Sequence, residues 1–391
     1  MSYDVIIAGA GPAGTAAAIT LLNRGRKVLL VDRQSFPRDK VCGDGILPGA
    51  SALLAQLGLE DQMQSANFYP IHGARIYSPN GSKVDWFVRP INPIHKFYIA
   101  PRYKFDNLLY QHAKQLGAIT ITAQVTGVLR TDRAVTGIKI LKNNREEQLV
   151  APVVIGADGA TSAIYRSLVT QQHRINPEVI AIRAYLKNFE IIPNHIEAFA
   201  LKSLFPNGAW IFPTGPNSAN VGFGIDILRY QSQNLSMKEL LHQFLEDPRI
   251  KHRVGLDPNP RDIKTWPYTL STSRSIQVAY DGAVLVGDAA ALMDPFTGEG
   301  IKNALLSGII AGETISDALS AQDTSKTFLT KYEQRCEQEI KTTIRRSIKL
   351  KNSLVLTPQT LNTGIKLMNR FKSPTAKLFN RLSTNFEFLS Q

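Results

Sequence analysis

The chain has 391 residues, 43% of them hydrophobic and 20% charged, with a formal net charge of +13. The length allows a large core and more than one domain; the two cysteines, Cys42 and Cys336, lie far apart without a CxxC pair, and the seven histidines are scattered without ligand spacing. A disulfide framework, a zinc site and a structural metal are therefore not expected, nor is a membrane span, because no apolar run approaches about 18 residues.

Residues 3–8, YDVIIA, have the pattern of a short buried strand. GAGPAG follows, with Gly9, Gly11 and Gly14 in GxGxxG spacing, then a small-residue helix, then a second strand, KVLLV, that runs into Asp32. This is the arrangement of a dinucleotide-binding βαβ unit. Gly9 allows the tight turn, Gly11 lets the backbone approach a pyrophosphate at the helix N-terminus, Gly14 lets helix and strand pack, and Asp32 accepts hydrogen bonds from a ribose. Pro12, Ala13 and Arg33 complete the candidate binding set of this unit.

The stretch 36–45, FPRDKVCGDG, places Cys42 among Pro, Arg, Lys and Gly, neighbours that a packed core does not favour. Residues 71–100 contain a hairpin signal, GARIYS–PNG–SKVDWFV. Residues 153–166, VVIGADGATSAIYR, read as a buried strand ending in a turn at Asp158. Residues 178–226 read as several strands separated by turn residues, among them GAWIFP at 208–213. These strands are expected to form one mixed or antiparallel sheet over the cofactor. Residues 236–254 read as a helix.

The segment 283–301, AVLVGDAAALMDPFTGEGI, again carries a strand into Gly287 and Asp288, with a small-residue helix expected next. No second GxGxxG unit follows, so no separate NAD(P)H domain is expected. Residues 341–381 hold ten Lys and Arg and no acid, interleaved with apolar residues at helical spacing and interrupted by Pro358 and Pro374. A basic amphipathic region of this kind suits an anionic membrane surface, or a solvated helix packed on the protein. Nucleic acid is not expected as a partner, because no binding fold accompanies the charge.

Together these motifs resemble the FAD-dependent superfamily that contains p-hydroxybenzoate-hydroxylase-like monooxygenases, flavin-dependent halogenases and geranylgeranyl reductases, over roughly residues 3–320. The resemblance implies that the first motif binds the FAD pyrophosphate, that Arg102 of PRYKFDNLL lies on the flavin side, and that Val125 contacts adenine. It implies further that Asp158 and Gly287 belong to the cofactor site, that Asp288 holds the ribityl chain, and that Pro295, Gly298, Gly300 and Ile301 present a loop to the flavin ring. FPRDKVCGDG resembles the PxxKxCG signature of the geranylgeranyl reductase branch through Pro37, Lys40, Cys42 and Gly43, and GEGIKNALLSG resembles the same branch. GAWIFP resembles its YxWxFP motif through Trp210, Phe212 and Pro213, with Gly208 in place of the tyrosine; these three are the substrate-pocket candidates.

The fold implied is α/β, a Rossmann-like FAD-binding domain of the GR2 type (residues 1–70, 101–170 and 275–330), an inserted α+β substrate-binding sheet domain (71–100 and 171–274) and a C-terminal helical basic region (331–391). The function implied is reduction of C=C bonds in an isoprenoid or other apolar lipid by reduced FAD. NAD(P)H or another reductant serves as transient donor, and Cys42, then Glu299, are the candidate proton sources. Arg38 and Lys40 are expected to lower the Cys42 pKa. An FAD-dependent monooxygenase or halogenase acting through a C4a-peroxyflavin is the alternative, supported by the fuller GADGATSAIYR segment, and a non-catalytic flavoprotein is a third reading. A cytoplasmic location, with peripheral membrane contact through the basic region, goes with the lipid substrate; the oligomeric state is left open.

Overall fold

A computed structural model describes residues 3–87, 96–255, 260–268, 276–354 and 357–370. A six-stranded sheet organises the first body. Its order is Ala279–Tyr280, Ala283–Leu285, Val153–Gly156, Val5–Ala8, Val28–Asp32, Ile119–Thr122, and all neighbours are parallel except the first pair. VIIA at its centre is wholly buried, which is why every residue of that strand is apolar.

Helix Pro12–Asn23 packs against helix Ile301–Ser320 along a seam of small residues. A Cβ at Gly308 would lie 2.3 Å from the Ala13 carbonyl oxygen, and one at Gly312 would lie 2.7 Å from Thr20 Cβ. The glycines therefore set how closely the two helices approach.

The second body is a seven-stranded mixed sheet, ordered Arg261–Tyr268, Val179–Lys187, Ser218–Asp226, Ala209–Gly215, His195–Phe199, Gly73–Tyr77, Lys83–Phe87. Only His195–Phe199 and Gly73–Tyr77 run parallel. Strand alternation divides its side chains. Ile182, Ala184, Ile211, Val221 and Phe223 form a core with Leu240, Leu241 and Phe244 of helix Met237–Leu245. Ala181, Trp210 and Phe212 emerge on the opposite face, toward the loop that carries Cys42. A small sheet of Gly45–Ile46, Phe97–Ile99 and Tyr69–Ile71 joins that loop to the second body.

Two element expectations need correction. The helix expected over 236–254 ends at Leu245, and only a 3₁₀ turn, Lys251–Arg253, follows; Pro248 interrupts it, since the residue before a proline is driven out of the α region. The helix expected directly after Asp288 is a four-residue 3₁₀ turn, Gly287–Ala290, closed by Ala291 at φ +50°; the long helix begins only at Ile301. In the basic region, helices Thr342–Leu354 and Pro358–Arg370 are present, with Pro358 at the start of the second, where proline is favoured. The expected break at Pro374 lies outside the described residues. Among the described residues, no helix is long and apolar enough to cross a membrane.

Candidate functional site

A cavity of about 950 Å³ runs from the first glycine loop to the inner face of the mixed sheet. All the site residues proposed from sequence border it except Gly14, Gly287 and Pro213. Those three lie behind the wall: a Cβ at Gly14 would stand 1.9 Å from the Gly9 carbonyl oxygen, and one at Gly287 would stand 2.9 Å from Ala13 Cβ.

The nucleotide end is built by the 9–14 loop. Gly9 has φ +102°, and a Cβ there would meet the Ala157 carbonyl oxygen at 2.2 Å. Gly11 differs, since a Cβ on it would meet only Arg38 Nη2, at 3.4 Å. Its open side faces the cavity, and helix Pro12–Asn23 starts there without a side-chain cap. Free N–H groups at a helix start, beside a bare glycine, fit a pyrophosphate. Asp32 accepts from Ala10 N–H at 2.8 Å and from Gln34 N–H at 3.0 Å, so its carboxylate holds the loop while bordering the cavity. Arg33 stacks over Trp266, 5.0 Å from the ring centroid. Val125 borders the same end.

Asp158 also reaches the cavity wall, but its carboxylate is engaged with helix Ala163–Leu168. It accepts from Ser162 Oγ–H, from Ala163 N–H at 2.7 Å and from Ile164 N–H at 3.2 Å. Burial raises its pKa against those hydrogen bonds. Helix capping accounts for the aspartate itself.

Five charged groups brace the middle of the cavity. Arg102 binds Asp106 through both Nε and Nη2, at 2.6 and 2.7 Å, with both side chains almost wholly buried. Arg38 Nη1 reaches the same carboxylate at 2.7 Å. Burial opposes the charge on Asp106, and the two guanidinium groups overcome it and hold its pKa below the usual carboxylate range. Across the cavity, Lys40 Nζ pairs with Asp288 Oδ2 at 2.7 Å.

The 294–301 loop is folded by Asp294, whose Oδ1 accepts from Phe296 N–H and Thr297 N–H at 2.8 and 2.9 Å. Gly298 takes φ +70° within it. Glu299 Oε1 accepts from Lys302 N–H at 2.9 Å, and its Oε2 has no hydrogen-bond partner among the described residues. Burial pushes the Glu299 carboxyl up to about 7.

Cys42 borders the cavity next to Gly43. A Cβ at Gly43 would lie 2.7 Å from Phe212 Cε2, so the aromatic ring rests directly on the thiol loop. Trp210 Nε1–H donates to Asn220 Oδ1 at 2.8 Å, and Asn220 Nδ2–H donates to the Cys42 carbonyl oxygen at 2.8 Å. The expected lowering of the thiol pKa is overturned. Burial pushes it up, and the nearby charge of Asp44 adds to that, against a smaller opposing pull from Arg102 and Lys40. The cations that flank Cys42 in sequence are paired elsewhere, Arg38 with Asp106 and Lys40 with Asp288. The surroundings of Cys42 therefore favour the protonated thiol.

Sequence reasoning missed Asp44, Tyr185, Asn220 and the Lys40–Asp288 pair. The one available signal was Asn220, a polar residue in SANVGFGID on the sheet face that otherwise carries Gly222 and Gly224.

The family described as "FAD binding domain" matches residues 2–347. A digeranylgeranylglycerophospholipid reductase of Methanosarcina acetivorans is 32% identical, over 98% of this chain and 93% of that protein. The Methanothrix thermoacetophila protein of the same name is 33% identical, over 95% and 92%. Among solved structures, a geranylgeranyl bacteriochlorophyll reductase-like protein from Thermoplasma acidophilum superposes with a TM-score of 0.81 at 27% identity, covering 93% of this chain and 91% of that one. The flavin-dependent brominase Bmp2 shares the fold, with a TM-score of 0.79 at 22% identity over 99% of this chain and 94% of that one.

Proposed function

Because the chain belongs to the FAD binding domain family, in its geranylgeranyl reductase branch, we propose that this FAD-dependent oxidoreductase reduces C=C bonds in an isoprenoid lipid at the thiol-bearing wall of its cavity. The observation that carries the reading is the contact between Gly43 and Phe212, which brings the Cys42 loop and the aromatic side of the sheet together on one cavity that begins at the 9–14 loop.

In this reading the start of helix Pro12–Asn23 takes the FAD pyrophosphate, Asp32 a ribose and Asp288 the ribityl chain. Reduced FAD supplies the hydride that an alkene carbon accepts, and NAD(P)H or another reductant visits as electron donor. The protein's own residues do the rest. Leu47, Phe97, Trp210 and Phe212 give an apolar lining that excludes water and aligns a hydrocarbon chain. Cys42, kept protonated by burial, holds the proton that the second alkene carbon requires. Glu299 is the second candidate for that proton, since burial pushes its carboxyl up to about 7. An isolated trisubstituted alkene resists plain hydride addition, so proton transfer at a positioned acid is the demanding part of the reaction.

Residues 1–70, 101–170 and 275–330 carry the cofactor in this reading, and residues 71–100 and 171–274 carry the substrate wall. We place the membrane, as the source of the lipid, at the basic C-terminal region. Phe87 (65% exposed) lies on the strand against which helix Pro358–Arg370 packs, and that helix presents Leu367 (47% exposed) and Lys366. Exposed apolar groups beside a lysine suit an anionic interface. The test of the catalytic reading is Cys42→Ala and Cys42→Ser. Turnover is expected to fall by about 10²-fold or more with FAD content unchanged, and undiminished turnover would remove the thiol from the reaction.

A further inference from the structure

Behind the Cys42 loop lies a buried polar cluster that FAD binding and substrate lining do not use. Asp44 is wholly buried and adopts φ +65°, between two glycines that would take that conformation more easily. Its Oδ2 accepts from Tyr185 Oη–H at 2.7 Å and from Asn220 Nδ2–H at 2.7 Å. The same Asn220 amide nitrogen donates to the Cys42 carbonyl oxygen at 2.8 Å. One side chain therefore ties the thiol residue and the carboxylate to the sheet, and through Trp210 to the apolar wall.

An aspartate buried in this way is costly unless its charge is paired and hydrogen-bonded. Tyr185 and Asn220 satisfy one oxygen; among the described residues Oδ1 has no hydrogen-bond partner. Arg183 stacks on the Tyr185 ring, 4.1 Å from its centroid, and binds Asp39 through Nη2. The charged and titratable groups around Asp44 are thus Arg183 and Tyr185 from strand Val179–Lys187, Arg102 from helix Arg102–Gln115, and Cys42, Asp39 and Lys40 from its own loop. Burial pushes the Asp44 carboxyl up to about 6, so its charge is present at neutral pH and above and is lost on acidification.

We propose that Asp44 is the positioning residue for Cys42: its carboxylate, clamped by Tyr185 and by the same Asn220 that holds the Cys42 carbonyl, fixes a negative charge two residues from the thiol and adds to burial in keeping the proton there when substrate arrives. This rests on the reading of Cys42 as proton source, but it predicts a property of the thiol that can be measured without substrate or turnover.

The experiment is the pH dependence of Cys42 alkylation by iodoacetamide in the FAD-loaded protein, followed by mass spectrometry of the Cys42 peptide so that Cys336 does not contribute. In Asp44→Asn, which keeps an acceptor for Tyr185 and Asn220, the alkylation midpoint is expected to fall by about one pH unit, seen near neutral pH as a roughly tenfold faster reaction. Tyr185→Phe removes a donor that favours the Asp44 carboxylate, and the reaction is expected to speed up in the same direction by about threefold. If Asp44→Asn does not hold FAD, Tyr185→Phe decides. A midpoint that stays at the wild-type value in FAD-loaded variants overturns the proposal. A shifted midpoint together with full turnover in Cys42→Ala would leave the electrostatic coupling standing and remove the catalytic reading instead.

Discussion

Lys40 Nζ lies 2.7 Å from Asp288 Oδ2, joining two segments 248 residues apart across the cavity. The pair is partly buried, with side-chain exposures of 22% and 11%. It ties the thiol loop to the turn proposed to hold the ribityl chain.

Lys40→Ala leaves Asp288 without its cation in a poorly solvated place, which costs about 1–3 kcal/mol for a hydrogen-bonded charged pair. The FAD dissociation constant is expected to rise by roughly tenfold or more, and Lys40→Arg is expected to restore most of the affinity. Fluorescence titration of apoprotein with FAD checks both.

Glycines of the first loop separate folding from binding. A side chain at Gly14 meets the Gly9 carbonyl oxygen at 1.9 Å, so Gly14→Ala is expected to lower the thermal midpoint or prevent folding. At Gly11 the nearest atom is the end of the Arg38 side chain, so Gly11→Ala is expected to keep the wild-type stability within about 0.5 kcal/mol. It puts a methyl group at the proposed pyrophosphate site, and FAD affinity is expected to fall by roughly 100-fold or more. Equal loss of stability in the two variants contradicts this division.

Glu299 makes stability depend on pH in a defined direction. Burial raises its folded-state pKa from an ordinary value of 4.5 to about 7. Between these values the folded state keeps a proton that the unfolded state releases, so this group's contribution is greatest at acid pH and is lost as pH rises toward 7. The span corresponds to a few kcal/mol at most. Urea denaturation of wild type and Glu299→Gln across this window is expected to show the slope in the wild type and a flatter dependence in the variant.

Membrane contact has its own readout. Phe87→Ser with Leu367→Glu is expected to reduce co-flotation with vesicles containing phosphatidylglycerol by about fivefold, with FAD content unchanged. Wild-type protein that does not float with such vesicles contradicts the placement of the membrane at this face.

The parts of the fold legible in the sequence are those encoded locally. GAGPAG between a buried strand and a helix, with Asp32 at the end of the next strand, specifies its geometry within thirty or so residues. Alternation in VIAIRAYL and SANVGFGID likewise announces paired strands. What remained hidden was pairing over distance. Asp44 meets Tyr185 and Asn220 at separations of 141 and 176 residues. The direction of the Cys42 shift was misjudged for the same reason: Arg38 and Lys40 stand beside the thiol in sequence, while in space their charges belong to Asp106 and Asp288.

The most direct test reduces the purified flavoprotein under anaerobic conditions and mixes it with a phospholipid bearing geranylgeranyl chains. The account predicts that oxidised-flavin absorbance returns without oxygen and that mass spectrometry finds lipid with two hydrogens added per reduced bond. Flavin that stays reduced until air is admitted, with the lipid either unchanged or carrying added oxygen, would contradict it.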